Sequence, residues 1–125
     1  MTRLLFVLVG GALGSGCRFA VSNLVAATVG ARFLPVGTFL VNLSGSFLIG
    51  FFAEWFDARA TASPELRAAV LVGVLGGYTT FSSFSLETFN LLRDGAWQKA
   101  LLYPAASVLL GLLAVWCGML LARWL

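Results

Sequence analysis

Five stretches of this sequence contain no Asp, Glu, Lys or Arg: residues 4–17, 19–31, 33–53, 68–86 and 100–122. Arg18 alone separates the first two. A bilayer's hydrocarbon core is ~30 Å thick, and a helix needs ~20 residues to cross it. The runs therefore predict four membrane-spanning helices, at roughly 4–28, 36–56, 66–92 and 97–122. A chain of 125 residues, 60% hydrophobic and 10% charged, cannot hide so much apolar surface in a soluble core. The first run is too long for a signal-peptide core, and no A-x-A site closes it, so it is expected to remain as a span. The connections are short, near 29–35, 57–65 and 93–97. The expected class is an all-α membrane protein, one four-span domain over 1–125.

What the chain lacks narrows its chemistry. It has no His, which excludes His-based catalysis and His metal sites. Cys17 and Cys117 fall at different depths if the spans alternate in direction, so no disulfide is expected. The net charge of +3 sits mostly at the span ends, where snorkelling and topology account for it better than nucleic-acid binding.

Four spans place both termini on one side, with Arg3, Arg59, Arg67 and Arg123. Arg32, Arg93 and Lys99 fall on the other. Four against three is too small a bias for the positive-inside rule to fix one orientation. Insertion both ways up is therefore expected, which permits an antiparallel homodimer about a two-fold axis in the membrane plane. Small residues at helical spacing, Gly10 with Gly14, Gly73 with Gly77 and Ser46 with Gly50, predict close helix crossings.

The third span carries "GGYTTFSSFS" at residues 76–85. Gly76 and Gly77 near its middle, followed by Tyr78, Thr79 and Thr80, predict a break in the helix. Broken helices expose main-chain oxygens that suit a hard cation such as Na⁺. A close glycine contact, with the hydroxyls bonded back to the backbone, explains the pattern equally well. Phe81 and Phe84, three apart, share a helix face. Their ring edges are positive and can stabilise a partly dehydrated anion where hydrogen-bond donors stand nearby, although plain packing explains two Phe as well. Thr80, Ser82, Ser83 and Ser85 surround them.

Other spans add polar stripes. Thr38, Asn42 and Gly45 lie on one face of the second, and Asn42 offers two N–H donors. An amide inside a span is costly without a partner. Tyr103, Ser107 and Gly111 form a stripe on the fourth. No stripe contains a carboxylate, so the lining suits a small, hard anion better than a cation or a bulky drug. Arg18 and Glu87 lie in the half of the membrane away from the termini. They either form a structural ion pair, the blander expectation, or serve a vestibule where Arg18 concentrates anions.

Three stretches together, "GxxGGYTTFSSFSLE" at 73–87, "GTFLVNLSGSFLIG" at 37–50 and "GGALGSGCRF" at 10–19, resemble the bacterial fluoride channel family, Fluc or CrcB. The resemblance covers essentially the whole chain. It implies a dual-topology antiparallel homodimer in the bacterial cytoplasmic (inner) membrane, with two pathways for selective, passive export of F⁻. By position it implies ring-edge lining by Phe81 and Phe84 and donation from Asn42 near a vestibule. Thr80 and Ser83 accompany the rings, and Tyr103 and Ser107 form a polar track. It further implies a structural Na⁺ on the dimer axis, held by main-chain oxygens of Gly76 and Thr79 from each subunit. Gly111 departs from the pattern by leaving the track without a further hydroxyl. The alternative is a small multidrug-type dual-topology transporter, a class that needs a carboxylate deep in its first span. Arg18 is the only charge within that span. An assembly or lipid-packing protein would leave the stripes without partners. An enzyme is not expected, because no suitable base lies near the hydroxyls.

Overall fold

The structure is a computed structural model that describes residues 1–29, 35–59 and 62–125. The described residues form an all-helical chain. α1 runs Thr2–Val29 and α2 runs Val36–Arg59. The third span covers Pro64–Arg93 in pieces, and α6 closes the chain over Trp97–Trp124. All four spans are long and apolar enough to cross a membrane. Arg32 and parts of the connections expected near 29–35 and 57–65 lie outside the described residues.

The third span starts with α3, Pro64–Arg67. Ser63 caps it by accepting the Leu66 amide at 3.2 Å, and Pro64 takes the first position, where its missing N–H costs nothing. The helix then widens to a π-helix over Ala68–Val74 before α4, Leu75–Tyr78. Thr79 and Thr80 are extended, at φ −80°, ψ 160° and φ −150°, ψ 126°. α5, Phe81–Arg93, begins afresh, with the Thr80 hydroxyl accepting the Ser83 amide at 3.3 Å. The expected break is present, but it falls at Thr79–Thr80 rather than at the glycines, which stay helical in α4. β-branched residues resist the helix and accept extended backbone, whereas Gly77 serves packing. Nothing in the sequence marked the π-helix.

The turn into α6 is legible residue by residue. Gly95 adopts φ 73°, the Ala96 amide bonds Leu91 O at 2.9 Å, and the Gly95 amide bonds Leu92 O at 3.0 Å. This is a Schellman closure, which needs glycine at the left-handed position.

Helix packing depends on absent side chains. A Cβ on Gly10 would stand 2.6 Å from Ala69 O, one on Gly77 2.6 Å from Gly11 O, and one on Gly14 would run into the Val74 carbonyl. The two G-x-x-x-G motifs thus face each other and join α1 to the third span. α2 and α6 meet in the same way, with Gly50 against the Val115 carbonyl and Gly118 against the Phe47 carbonyl. The buried interior is thin, including Val41, Phe56, Leu75, Ala100, Tyr103 and Ala122. Leu8, Phe19, Phe89, Leu112 and Trp116 stay exposed, as lipid-facing side chains should.

Charges gather at the span ends. Arg67 pairs with Asp57 at 2.6 Å, Arg123 with Glu54 at 2.8 Å and Arg3 with Glu65 at 3.8 Å. The Arg59 guanidinium lies 3.3 Å from the Trp55 ring centroid. Cys17 and Cys117 are free and exposed.

Gly14→Val forces a side chain into the Val74 carbonyl and should destabilise the protein by ~3 kcal/mol or more. Gly16→Ala, on the same helix but with open space around it, should change stability by less than ~0.5 kcal/mol. Thermal melts in detergent compare the two.

Candidate functional site

α2, α5 and α6 converge on the break. Asn42, on α2, brackets Thr80 from both sides of its peptide backbone. The Thr80 amide donates to Asn42 Oδ1 at 2.8 Å, and Asn42 Nδ2 donates to Thr80 O at 3.0 Å. Gly45 lies one turn further along α2, and a Cβ there would run into the Thr79 methyl. The Tyr78 hydroxyl and Ser44 Oγ share a hydrogen bond at 2.9 Å. The break is therefore held by α2 rather than left loose.

The bracket changes which carbonyls are covered. In a continuous helix the Thr80 amide would bond Gly76 O, and the Ser83 amide would bond Thr79 O. Here the first goes to Asn42 and the second to the Thr80 hydroxyl. The two neighbouring glycines differ in their surroundings. Gly77 makes the close contact with α1, whereas Gly76 is exposed and a Cβ there would come no nearer than 3.9 Å to Leu71 O. Ser85 follows the backbone-bonded alternative, donating to Phe81 O at 2.9 Å.

A cavity of about 370 Å³ opens beside the break, and Asn42, Thr79, Thr80, Phe81, Phe84 and Ser107 are among its lining residues. The Phe81 and Phe84 ring centroids are 5.7 Å apart, and Phe81 is 79% exposed. Asn42 has committed its oxygen and one N–H to Thr80, which leaves one N–H proton for anything in the cavity. Ser107 donates to Tyr103 O at 2.7 Å, so its lone pairs rather than its proton are free.

Thr80 also lines a second cavity, of about 450 Å³. Its lining includes Ser15, Arg18, Ser22, Thr38, Ser83 and Glu87. Arg18 and Glu87 line it together, but no ion pair joins them among the described residues. Glu87 instead accepts from Thr38 Oγ1 at 2.6 Å and from the Tyr103 hydroxyl at 2.9 Å. One hydroxyl for each carboxylate oxygen meets the acceptors' needs without bringing Arg18 across. Tyr103 thus joins the two regions, with its ring 5.4 Å from Phe84 and its hydroxyl on Glu87. Gly76 lines neither cavity.

Asn42, Thr80, Phe81, Phe84 and Ser107 line one cavity, while Ser83, Arg18 and Glu87 line the other. Sequence reading placed Thr38 on a stripe but missed its bond to Glu87, and it missed Ser15 and Ser22 altogether. The spacing of Thr38 and Asn42, four apart on one face, was the available signal. No cluster of His, Cys, Asp or Glu fit to hold a metal exists among the described residues. Main-chain oxygen is what the break offers a cation.

Tyr103→Phe and Thr38→Val should each cost about 1–3 kcal/mol by removing a donor from Glu87. The double variant should fall short of the sum, because both hydroxyls serve one carboxylate. Denaturation of the purified protein in detergent measures the cycle.

Known proteins resemble the chain over nearly its whole length. The profile of the family described as "CrcB-like protein, Camphor Resistance (CrcB)" matches residues 5–119. A protein of Opitutus terrae is 52% identical over 120 residues, covering 94% of this chain and 90% of its own. One from Rhizobium meliloti is 49% identical over 123 residues, covering 98% of each chain. One from Caulobacter vibrioides is 47% identical over 124 residues, covering 98% of this chain and 97% of its own. All three bear the name "Fluoride-specific ion channel FluC". With nearly its whole length matched, the chain belongs to the CrcB-like family, in which these relatives are named as channels and not as enzymes.

Proposed function

We propose that the protein is a fluoride-selective channel that exports F⁻ passively across the bacterial cytoplasmic membrane as an antiparallel homodimer. The observation that carries the reading is the cavity where Asn42, Thr80, Phe81, Phe84 and Ser107 meet beside the broken third helix. Its lining holds neutral polar groups and ring edges but no ionisable side chain. Such a lining exchanges hydration for weak, multi-site contacts, as conduction requires. The names of the relatives supply the ion.

F⁻ enters past Arg18, whose positive charge raises the local anion concentration. It gives up water stepwise to the remaining Asn42 N–H and to the Ser83 hydroxyl, which accepts from Thr80 and keeps its own proton to donate, then to the Phe81 and Phe84 ring edges. Larger anions fit this lining poorly. The high exposure of Phe81 suits a pathway completed by a second copy, and the near-even arginine and lysine tally suits opposite insertion. Gly76 O and Thr79 O, released from their helical amides, fit a structural Na⁺ between the copies. Such an ion would supply fixed positive potential and tie the broken helices together.

The test is efflux from liposomes in Na⁺ medium. F⁻ should leave rapidly and Cl⁻ negligibly. Phe81→Ile should slow F⁻ by on the order of tenfold, the effect of ~1.4 kcal/mol on a barrier, without loss of the dimer. Undiminished flux in that variant would defeat the ring-edge mechanism, and equal Cl⁻ flux in the unsubstituted protein would defeat fluoride selectivity.

A further inference from the structure

We infer that Asn42 is a positioning residue for the cation site, beyond any contact it makes with the anion. The inference rests on the proposed structural Na⁺. Asn42 Oδ1 holds the Thr80 amide at 2.8 Å, the one amide that would otherwise bond Gly76 O. Asn42 Nδ2 holds Thr80 O at 3.0 Å and keeps that residue extended. The side chain on α2 thereby decides whether a carbonyl on α4 is open or covered.

Energetics in the membrane sharpen the choice. A peptide N–H without a partner there costs several kcal/mol. Thr80 N–H must bond something: here it bonds the Asn42 amide oxygen, and in a continuous helix it would bond the carbonyl four residues back. Taking away the first drives the amide to the second. The helix then closes over Gly76 O, and a cation ligand is lost although no ligand has been substituted. An acceptor at position 42 prevents this, and a methyl group does not.

That asymmetry gives the test. The purified protein is melted in detergent while NaCl replaces N-methylglucamine chloride at fixed ionic strength. The unsubstituted protein should gain thermal stability with Na⁺. Asn42→Ala should need at least about tenfold more Na⁺ for the same gain, as when a residue that orients a ligand is removed. Asn42→Asp in its protonated form, which accepts from the Thr80 amide and donates to Thr80 O as the asparagine does, should retain the Na⁺ response. Phe81→Ile should respond to Na⁺ as the unsubstituted protein does.

A folded Asn42→Ala protein with an unchanged Na⁺ response would overturn the inference. So would a folded Asn42→Asp protein with no response, and that arm decides the matter if the alanine variant fails to fold. Absence of any Na⁺ response in the unsubstituted protein would instead overturn the cation reading, and the role of Asn42 with it.

Discussion

The pair of hydrogen bonds between Asn42 and the Thr80 backbone is the interaction on which the rest of the site depends. A chain that interrupts a helix at membrane depth has to find partners for the amides and carbonyls it frees. Lipid offers none. One primary amide, with an acceptor and a donor on the same planar group, satisfies both the N–H and the C=O of Thr80. The Thr80 hydroxyl then caps the next helix through Ser83. With those bonds made, Phe81 and Phe84 start a new helix whose direction is set by α2, and their rings arrive beside Ser107 of α6.

The bracket can act only because the helices come close enough. Asn42 has a short side chain, and it reaches Thr80 because Gly45 lets the Thr79 methyl sit directly against α2. On the other flank, Gly10, Gly14, Gly73 and Gly77 bring α1 against the third span backbone to backbone. Between hydrocarbon tails there is little hydrophobic drive to press helices together, so contact has to come from shape and hydrogen bonding. The thin interior reflects this. Val41 is buried almost completely, and it lies one residue from Asn42.

Much of this was legible in the sequence because membrane rules are severe. Uncharged runs gave the spans to within a few residues, and paired small residues gave the crossing of α1 with the third span. The stripe through Asn42 and the pair Phe81 and Phe84 pointed to residues that do share a cavity. What could not be read was which partner each polar group chooses. Gly76 and Gly77 look alike in the sequence, yet one packs against Gly11 and the other stays open. Thr38 and Tyr103 look like parts of two separate stripes, yet both close on Glu87. Arg18 and Glu87 look like a pair by charge and depth, yet neutral hydroxyls reach the carboxylate. Spacing tells which residues share a helix face, but it does not tell which hydroxyl on a neighbouring helix lies nearer than a guanidinium.

A carboxylate beside a path for anions calls for a physical reason, and the placement of Glu87 supplies one. Each of its oxygens accepts a hydroxyl hydrogen bond, so part of its charge is already met by donors. Arg18 lines the same cavity and offsets the remaining field. The ring-lined cavity beyond Thr80 contains no ionisable group in its lining. Under the proposed function, charge acts on the anion before it reaches Thr80 and dehydration acts after it. Thr80 lines both cavities, and its backbone is the part of the third span that Asn42 fixes. The same bracket that keeps the helix broken therefore sets the boundary between attracting an anion and selecting it.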